Sequence, residues 1–232
     1  MTLKNVSIKR NTLGEKAYLS IRDEIISLRM TPGEMIYEPD LAEKLGVSRT
    51  PVREAFSMLA KEELIEILPS RGARVAFISE QKVNEAQVVR ETLEVKAFTD
   101  VAKIWDKELD QFKRAESKIL DIIQFQKEAA AKKDYIRFVH LDEDFHNAVL
   151  EQAGNQTLLS VVYQMRGHLN RMRYLELEEA QHAQQAILQH EKLFQALQDN
   201  HVTEIERLLL DHLRVLELIR PEIMKKYSHY VK

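Results

Sequence analysis

Four polar side chains in the carboxy-terminal half stand where a helical apolar stripe calls for hydrophobic ones. Phe138, Val139, Phe145, Val149 and Leu150 keep the spacing of one helix face, and the positions that complete it are Asp142 and His146. His190 interrupts the stripe Ala183, Ala186, Ile187, Leu193, Phe194, Leu197 in the same way. His212 interrupts Ile205, Leu208, Leu209, Val215, Leu216, Ile219, which reads as one last helix. Asp142 and His146 are one turn apart, about 40° around the axis, and so point together. Burying a carboxylate and three imidazoles is costly unless they satisfy one another, and a divalent cation satisfies all four at once. The other reading of each histidine is a core imidazole with an ordinary hydrogen-bond partner. The chain has no cysteine, so an ion must be held by His, Asp or Glu. Zinc is the first expectation, with nickel or manganese as alternatives, and one or two coordination positions stay open for a small carboxylate.

The remaining histidines serve as controls. His182 lies two turns before His190, roughly 12 Å along the axis, and His140 points about 120° away from His146; both read as solvated. His201 and His229 fall in a turn and a tail, and His168 joins Val161, Met165 and Met172 as a second-layer or pocket candidate. Glu143 and Asp144 flank the Asp/His pair but read as surface charges.

A second group of chemically capable residues lies near the amino terminus. Glu38 to Gly46 reads as a short helix with Pro39 in its first turn and Gly46 at the left-handed position past its end. Val47-Ser48-Arg49-Thr50-Pro51-Val52-Arg53 then opens another helix, with Ser48 as its N-cap. An earlier helix is expected over Leu13 to Arg29, and residues 64–68, 69–72 and 73–77 read as strand, tight turn and strand. This is a helix-turn-helix with a wing. Its second helix enters the major groove amino end first, so Arg49 and Arg53 share the face that meets DNA. An arginine fork pairs with guanine O6 and N7 or with phosphate, Ser48 and Thr50 add hydroxyls, and Arg71 beside Gly72 places a cation at the wing tip. The plain alternative is that both arginines are solvated and pair with Glu54 or Glu43.

These groups need elements to position them, and the composition separates two sets. Of 232 residues, six are Gly and five Pro, and seven of these eleven fall between Pro32 and Gly72, whereas the region past Ser79 is rich in helix formers. We therefore expect two domains, residues 1–77 and 82–225, the second an all-helical bundle of six to seven helices, so that the fold class is mainly α. Helix breaks are expected near Lys103–Lys107, Lys132–Asp134, Gly154–Asn155, Glu176–Glu179 and Asn200–Thr203. The formal net charge of −3 excludes binding to nucleic acid through an average positive field, so a DNA reader needs local cations. No apolar run approaches the roughly 18 residues of a membrane span, and the amino terminus does not read as a secretory signal, which makes a cytoplasmic location the expectation.

Glu38 to Val75, with its LAEKLGVSRTPVREAF core and the later SRGARV, resembles the winged helix of the GntR superfamily of bacterial transcription regulators, over roughly Leu13 to Phe77. The resemblance implies DNA contacts from Arg49 and Arg53 and a wing glycine at Gly72. Pro39 stands where several relatives have an arginine, so that contact is not carried over. The helical region resembles the FCD ligand-binding domain of the FadR subfamily. Its metal-binding members use Asp-x-x-x-His followed by two later histidines, a pattern met here by LDEDFH, QHEKL and DHLRV, that is by Asp142, His146, His190 and His212. The resemblance also implies that Arg90, in VVRETLE, binds an effector carboxylate. Its alternative is an i, i+4 ion pair with Glu94 worth a few tenths of a kcal/mol. Arg171 and Arg173 are further candidates for the cavity. The expected protein is a ligand-responsive transcription regulator, not an enzyme. It acts as a homodimer on double-stranded palindromic operator DNA and senses a small organic acid with the help of a divalent metal ion. The competing readings are a regulator with a purely structural ion and a metal-dependent hydrolase with Glu143 as base.

Overall fold

Helix α1 (Leu13–Ile26) opens on a reciprocal cap: Thr12 Oγ1 accepts from the Glu15 amide at 3.1 Å and Glu15 returns a carboxylate oxygen to the Thr12 amide at 2.8 Å. The computed structural model describes residues 12–176 and 180–232. The chain divides into two compact units, Met1–Phe77 and Ile78–Lys232. In the first, α1 stops three residues short of the expected Arg29, because Leu28 turns into the left-handed region at φ +61°. A two-residue strand that periodicity did not announce, β1 (Met35–Ile36), precedes α2 (Glu38–Leu45) and α3 (Arg49–Lys61). Strands β2 (Ile65–Leu68) and β3 (Gly72–Val75) form the hairpin, and β1 pairs antiparallel with β3, giving the order β1-β3-β2. α1 packs against α3 over Ile21, Ile25, Val52, Ala55 and Leu59, all buried.

Gly72 has φ +93°, and a Cβ there would stand 2.8 Å from the Ile36 carbonyl oxygen, so the β1-β3 contact requires glycine. Ser48 occupies the N-cap of α3 as expected, but its hydroxyl makes no capping bond.

The second unit consists of α4 (Glu80–Ile104), α5 (Asp110–Ala131), α6 (Tyr135–Gln152), α7 (Gln156–Glu176), α8 (Ala180–Gln198), α9 (Val202–Leu213) and α10 (Val215–Lys226), followed by a short 3-10 turn. α4 touches α6, α7, α8 and α9, while α5 covers α6 and α8. Phe98, Phe112, Ile119, Phe138, Phe145, Leu193 and Leu209 fill the interior. None of the described helices is long and apolar enough to cross a membrane. The break expected at Glu176–Glu179 falls largely outside the described residues.

The last helix is two, not one. Arg214 ends α9 and begins α10, its amide bonding Leu210 and its carbonyl accepting from Glu217 at 3.0 Å. Gln87 of α4 donates to the Leu213 carbonyl at 2.9 Å and so takes an acceptor that a continuous helix would use. The unit also closes on its own tail: the Ile78 amide donates to the Tyr230 carbonyl at 2.9 Å and the Lys232 amide to the Ile78 carbonyl at 3.0 Å.

Candidate metal centre

α6, α8 and α9 bring Asp142, His146, His190 and His212 together, with one donor atom from each within 4.8 Å of all the others. His146, His190 and Asp142 are fully buried, and His212 is 9% exposed. The Nε2 of His212 lies 3.1 Å from that of His146 and 3.3 Å from that of His190. Asp142 Oδ1 stands 3.5 Å from His190 Nε2 and 3.9 Å from His212 Nε2. Donors held about 2.1 Å from one tetrahedral ion are roughly 3.4 Å apart, so these spacings suit a transition ion.

The outer edges of the rings make the same point. His146 Nδ1 lies 2.6 Å from Glu94 Oε2, His190 Nδ1 3.0 Å from Gln126 Oε1, and His212 Nδ1 2.9 Å from Gln189 Oε1. A ring that donates Nδ1–H to an oxygen carries its lone pair on Nε2. His190 and His212 thus turn lone pairs toward Asp142, and the carboxylate of Glu94 beside His146 Nδ1 favours the same tautomer there, an arrangement that is repulsive without a cation. Asp142 Oδ1 is buried and receives no hydrogen bond from the described residues. The donor set therefore fits a divalent metal ion.

Burial pushes His146 down to about 4, assisted by Arg90 and opposed by Glu94. His212 falls to about 3, from burial and then His146, and burial with His212 pushes His190 well down. For Asp142, burial disfavours the charge, but the Arg173 guanidinium outweighs it and holds the carboxyl well below its usual range. The metal-free rings are consequently neutral at pH 7 and ready to ligate. The unfolded chain takes up protons on histidine from about pH 6.5 downward. The stability that these neutral rings contribute is therefore complete above about 6.5 and is lost as pH falls toward 4 and 3. Urea melts of the chelated protein should show falling stability between about pH 6.5 and 4.5, and a flat profile across that window would contradict the buried, neutral arrangement.

Beside the cluster is a cavity of about 50 Å³ lined by Arg90, Arg173, Gln189 and His212, with Glu176 and His182 also on its wall. That volume accommodates a few water-sized groups, hence a compact ligand. Arg90 makes the i, i+4 pair with Glu94 of the alternative reading (Nε to Oε1, 2.9 Å), but both side chains are buried, and Arg90 also lines the cavity. Arg173 reaches Asp142 Oδ2 at 2.6 Å. Arg166 bonds Glu94 Oε1 at 2.8 Å. Arg90, Arg166 and Arg173 are balanced by Glu94, Asp142 and Glu176, so a divalent ion would leave the chamber two charges positive and favour an anion.

Several expectations need correction. Glu143 is half-buried and its carboxylate accepts from Asn170, so it is neither a solvated surface charge nor a base aimed at the cluster. His182 is half-buried, with Nδ1 3.1 Å from Glu176 Oε1, and His140 is half-buried 3.5 Å from the Tyr174 hydroxyl. Arg171 is buried on α7 and pushed down to about 10 by that burial, but it does not line the cavity. His168 is half-buried outside the cluster, and His201 and His229 are exposed. Glu94's contact with His146 and the roles of Gln126, Gln189 and Arg166 escaped the sequence reading. Gln126 was findable: it sits in the stripe Ile119, Ile122, Ile123, Ala129, an interruption of the kind that exposed His190.

In the amino-terminal unit, Arg49 and Arg53 are exposed on the first turns of α3 and border a cleft of about 540 Å³ shared with Ser57, Pro69, Arg71 and Gly72 of the helix and wing. Ser48 and Thr50 are exposed at the start of α3, outside that lining. Arg53 pairs with neither Glu54 nor Glu43; its fork grips Glu38, Nε to Oε1 at 3.2 Å and Nη2 to Oε2 at 2.9 Å.

Residues 13–75 match the family model of bacterial regulatory proteins, gntR family, and residues 85–215 match that of the FCD domain. An HTH-type transcriptional regulator in an unstable DNA locus of Streptomyces ambofaciens is 31% identical over 86% of this chain and 81% of its own. The HTH-type transcriptional repressor RspR of Escherichia coli (strain K12) is 26% identical over 99% of this chain and 98% of its own. Among solved structures, E. coli McbR/YncC superposes with a TM-score of 0.81 at 17% identity, covering 94% of this chain and all of that one. A putative GntR transcriptional regulator from Rhodococcus sp. RHA1 gives 0.73 at 20% identity over 92% and 98%.

Proposed function

The chain belongs to the gntR family of bacterial regulatory proteins and carries an FCD domain, so it is a transcription regulator; from that premise we propose that it binds a palindromic operator as a homodimer and senses a small organic acid at a metal ion held by Asp142, His146, His190 and His212. The relatives and families are regulators, not enzymes, and the hydrolase reading is dropped. What carries the sensing proposal is one observation: the three Nε2 atoms and the unpartnered Asp142 oxygen converge around His212, which lines a cavity that also presents Arg90 and Arg173. The ion, zinc first and nickel or manganese otherwise, would supply positive charge and open coordination positions. Arg90 and Arg173 supply fixed cations for the far end of the acid. On α3, Arg49 and Arg53 read base edges or phosphate, Ser48 and Thr50 offer hydroxyls to the backbone, and Arg71 reaches out from the wing. The acid alters operator affinity to the extent that it binds one arrangement of the dimer more tightly than another.

The test is a thermal-shift screen of small organic acids against zinc-loaded and chelated protein, followed by operator titrations. At about a hundred times its dissociation constant, a true effector should raise the melting temperature of the loaded protein by about 5–10 °C. It should do so only with metal present and should change operator affinity. Unfolding on chelation with no response to any acid would transfer the ion to a purely structural role.

A further inference from the structure

We infer that Glu94 is the positioning residue of the metal site and the group through which an anion on Arg90 is felt there, because one buried carboxylate faces ligand His146 with one oxygen and the Arg90 guanidinium with the other. The inference rests on the reading that the four donors hold a metal ion. Glu94 projects from the middle of α4 and is 0% exposed. Its Oε2 lies 2.6 Å from His146 Nδ1, while Oε1 accepts from Arg90 Nε at 2.9 Å and Arg166 Nη2 at 2.8 Å. One turn further along α4, Phe98 packs its ring 5.7 Å from that of His146, so α4 restrains the imidazole by both packing and charge.

The other two ligand rings face neutral amides, Gln126 and Gln189. His146 alone has an ionised partner on its outer nitrogen. An anionic acceptor there fixes the Nδ1–H tautomer and makes Nε2 a stronger donor to a metal than an amide acceptor would. Glu94 divides its charge between His146 and two guanidiniums. An anion that draws on Arg90 from the cavity relieves that competition, leaving more of the carboxylate for His146 and hence a tighter metal site. By linkage the metal strengthens the anion site to the same degree.

The experiment is calorimetric titration of Zn2+ into the chelated full-length chain, for wild type and Glu94→Gln, with and without acetate as the probe anion. Nitrogen-15 NMR of the wild-type histidine rings accompanies it. Glu94→Gln is expected to bind zinc about 10- to 100-fold more weakly at unchanged stoichiometry. Acetate should tighten zinc binding in wild type and do so less in the variant, and His146 should be the Nδ1–H tautomer in the metal-free protein. Equal zinc affinity and equal acetate gain in both proteins would overturn the inference while leaving the metal reading intact. A wild type that takes up no transition ion would bring down both. Should Glu94→Gln fail to fold, the tautomer decides: an Nε2–H His146 in wild type overturns the proposal, and Nδ1–H upholds the positioning role.

Discussion

Replacing His190 with alanine is expected to weaken transition-metal binding at the proposed site about a hundredfold. The ring contributes Nε2 to the cluster at 3.3 Å from His212, is oriented by Gln126, and stacks on Phe145 with centroids 4.0 Å apart. Alanine removes the ligand and its orientation together. Zinc sites held by four protein ligands are worth roughly 10–16 kcal/mol, so one ligand is worth about 3 kcal/mol, on the order of a hundredfold in affinity. Elemental analysis after dialysis, with a competing chelator to rank affinities, reads the loss directly. His182→Ala is the matched control, since His182 lines the neighbouring cavity and pairs with Glu176 but is no member of the donor cluster. Equal metal content in wild type and His190→Ala would remove His190 from the site.

The second large effect belongs to α3. Arg49→Ala and Arg53→Ala should each weaken binding to the DNA upstream of the protein's own coding region by roughly ten- to a hundredfold, the range for losing one bidentate base contact. Arg49 should show the greater loss. Arg53 has to leave Glu38 before it can reach a base or phosphate, so part of what it gains on DNA is offset by what it gives up. Anisotropy titrations at two salt concentrations distinguish the modes of contact. An arginine on phosphate lowers the salt slope by about one and affects all sequences alike, whereas an arginine on a base relaxes selectivity at one position. No sequence-selective binding by wild type at moderate salt would defeat the operator reading.

Much of this was legible because local chemistry and tertiary structure agree. The glycine past α2, the N-cap position of Ser48 and the helix-forming composition after Ser79 are local signals that the fold obeys. The four donors announced themselves by occupying apolar slots, which periodicity detects without knowing what lies opposite. The partners could not be found that way. Glu94 looked like half of a helix-surface pair with Arg90, and only the packing of α4 against α6 turns it toward His146. The break at Arg214 leaves the apolar stripe in phase and is written instead in a hydrogen bond from Gln87, 126 residues upstream of Leu213. Strand β1 is two residues long and exists because Met35 and Ile36 find Arg74 and Ala73, a pairing with no periodic signature.

The bidentate clasp of Glu38 on Arg53 has one further result. A carboxylate that accepts from two nitrogens of the guanidinium resembles the acceptor pair that a phosphate or a guanine edge presents. If α3 reads DNA as proposed, each encounter would begin as a contest between that built-in mimic and the duplex. Passing contacts along unrelated sequence, with loose geometry and one oxygen at a time, compete poorly. A matched half-site, with its acceptors already fixed in register, would win, so that discrimination would be sharpened by a residue that need never touch the nucleic acid.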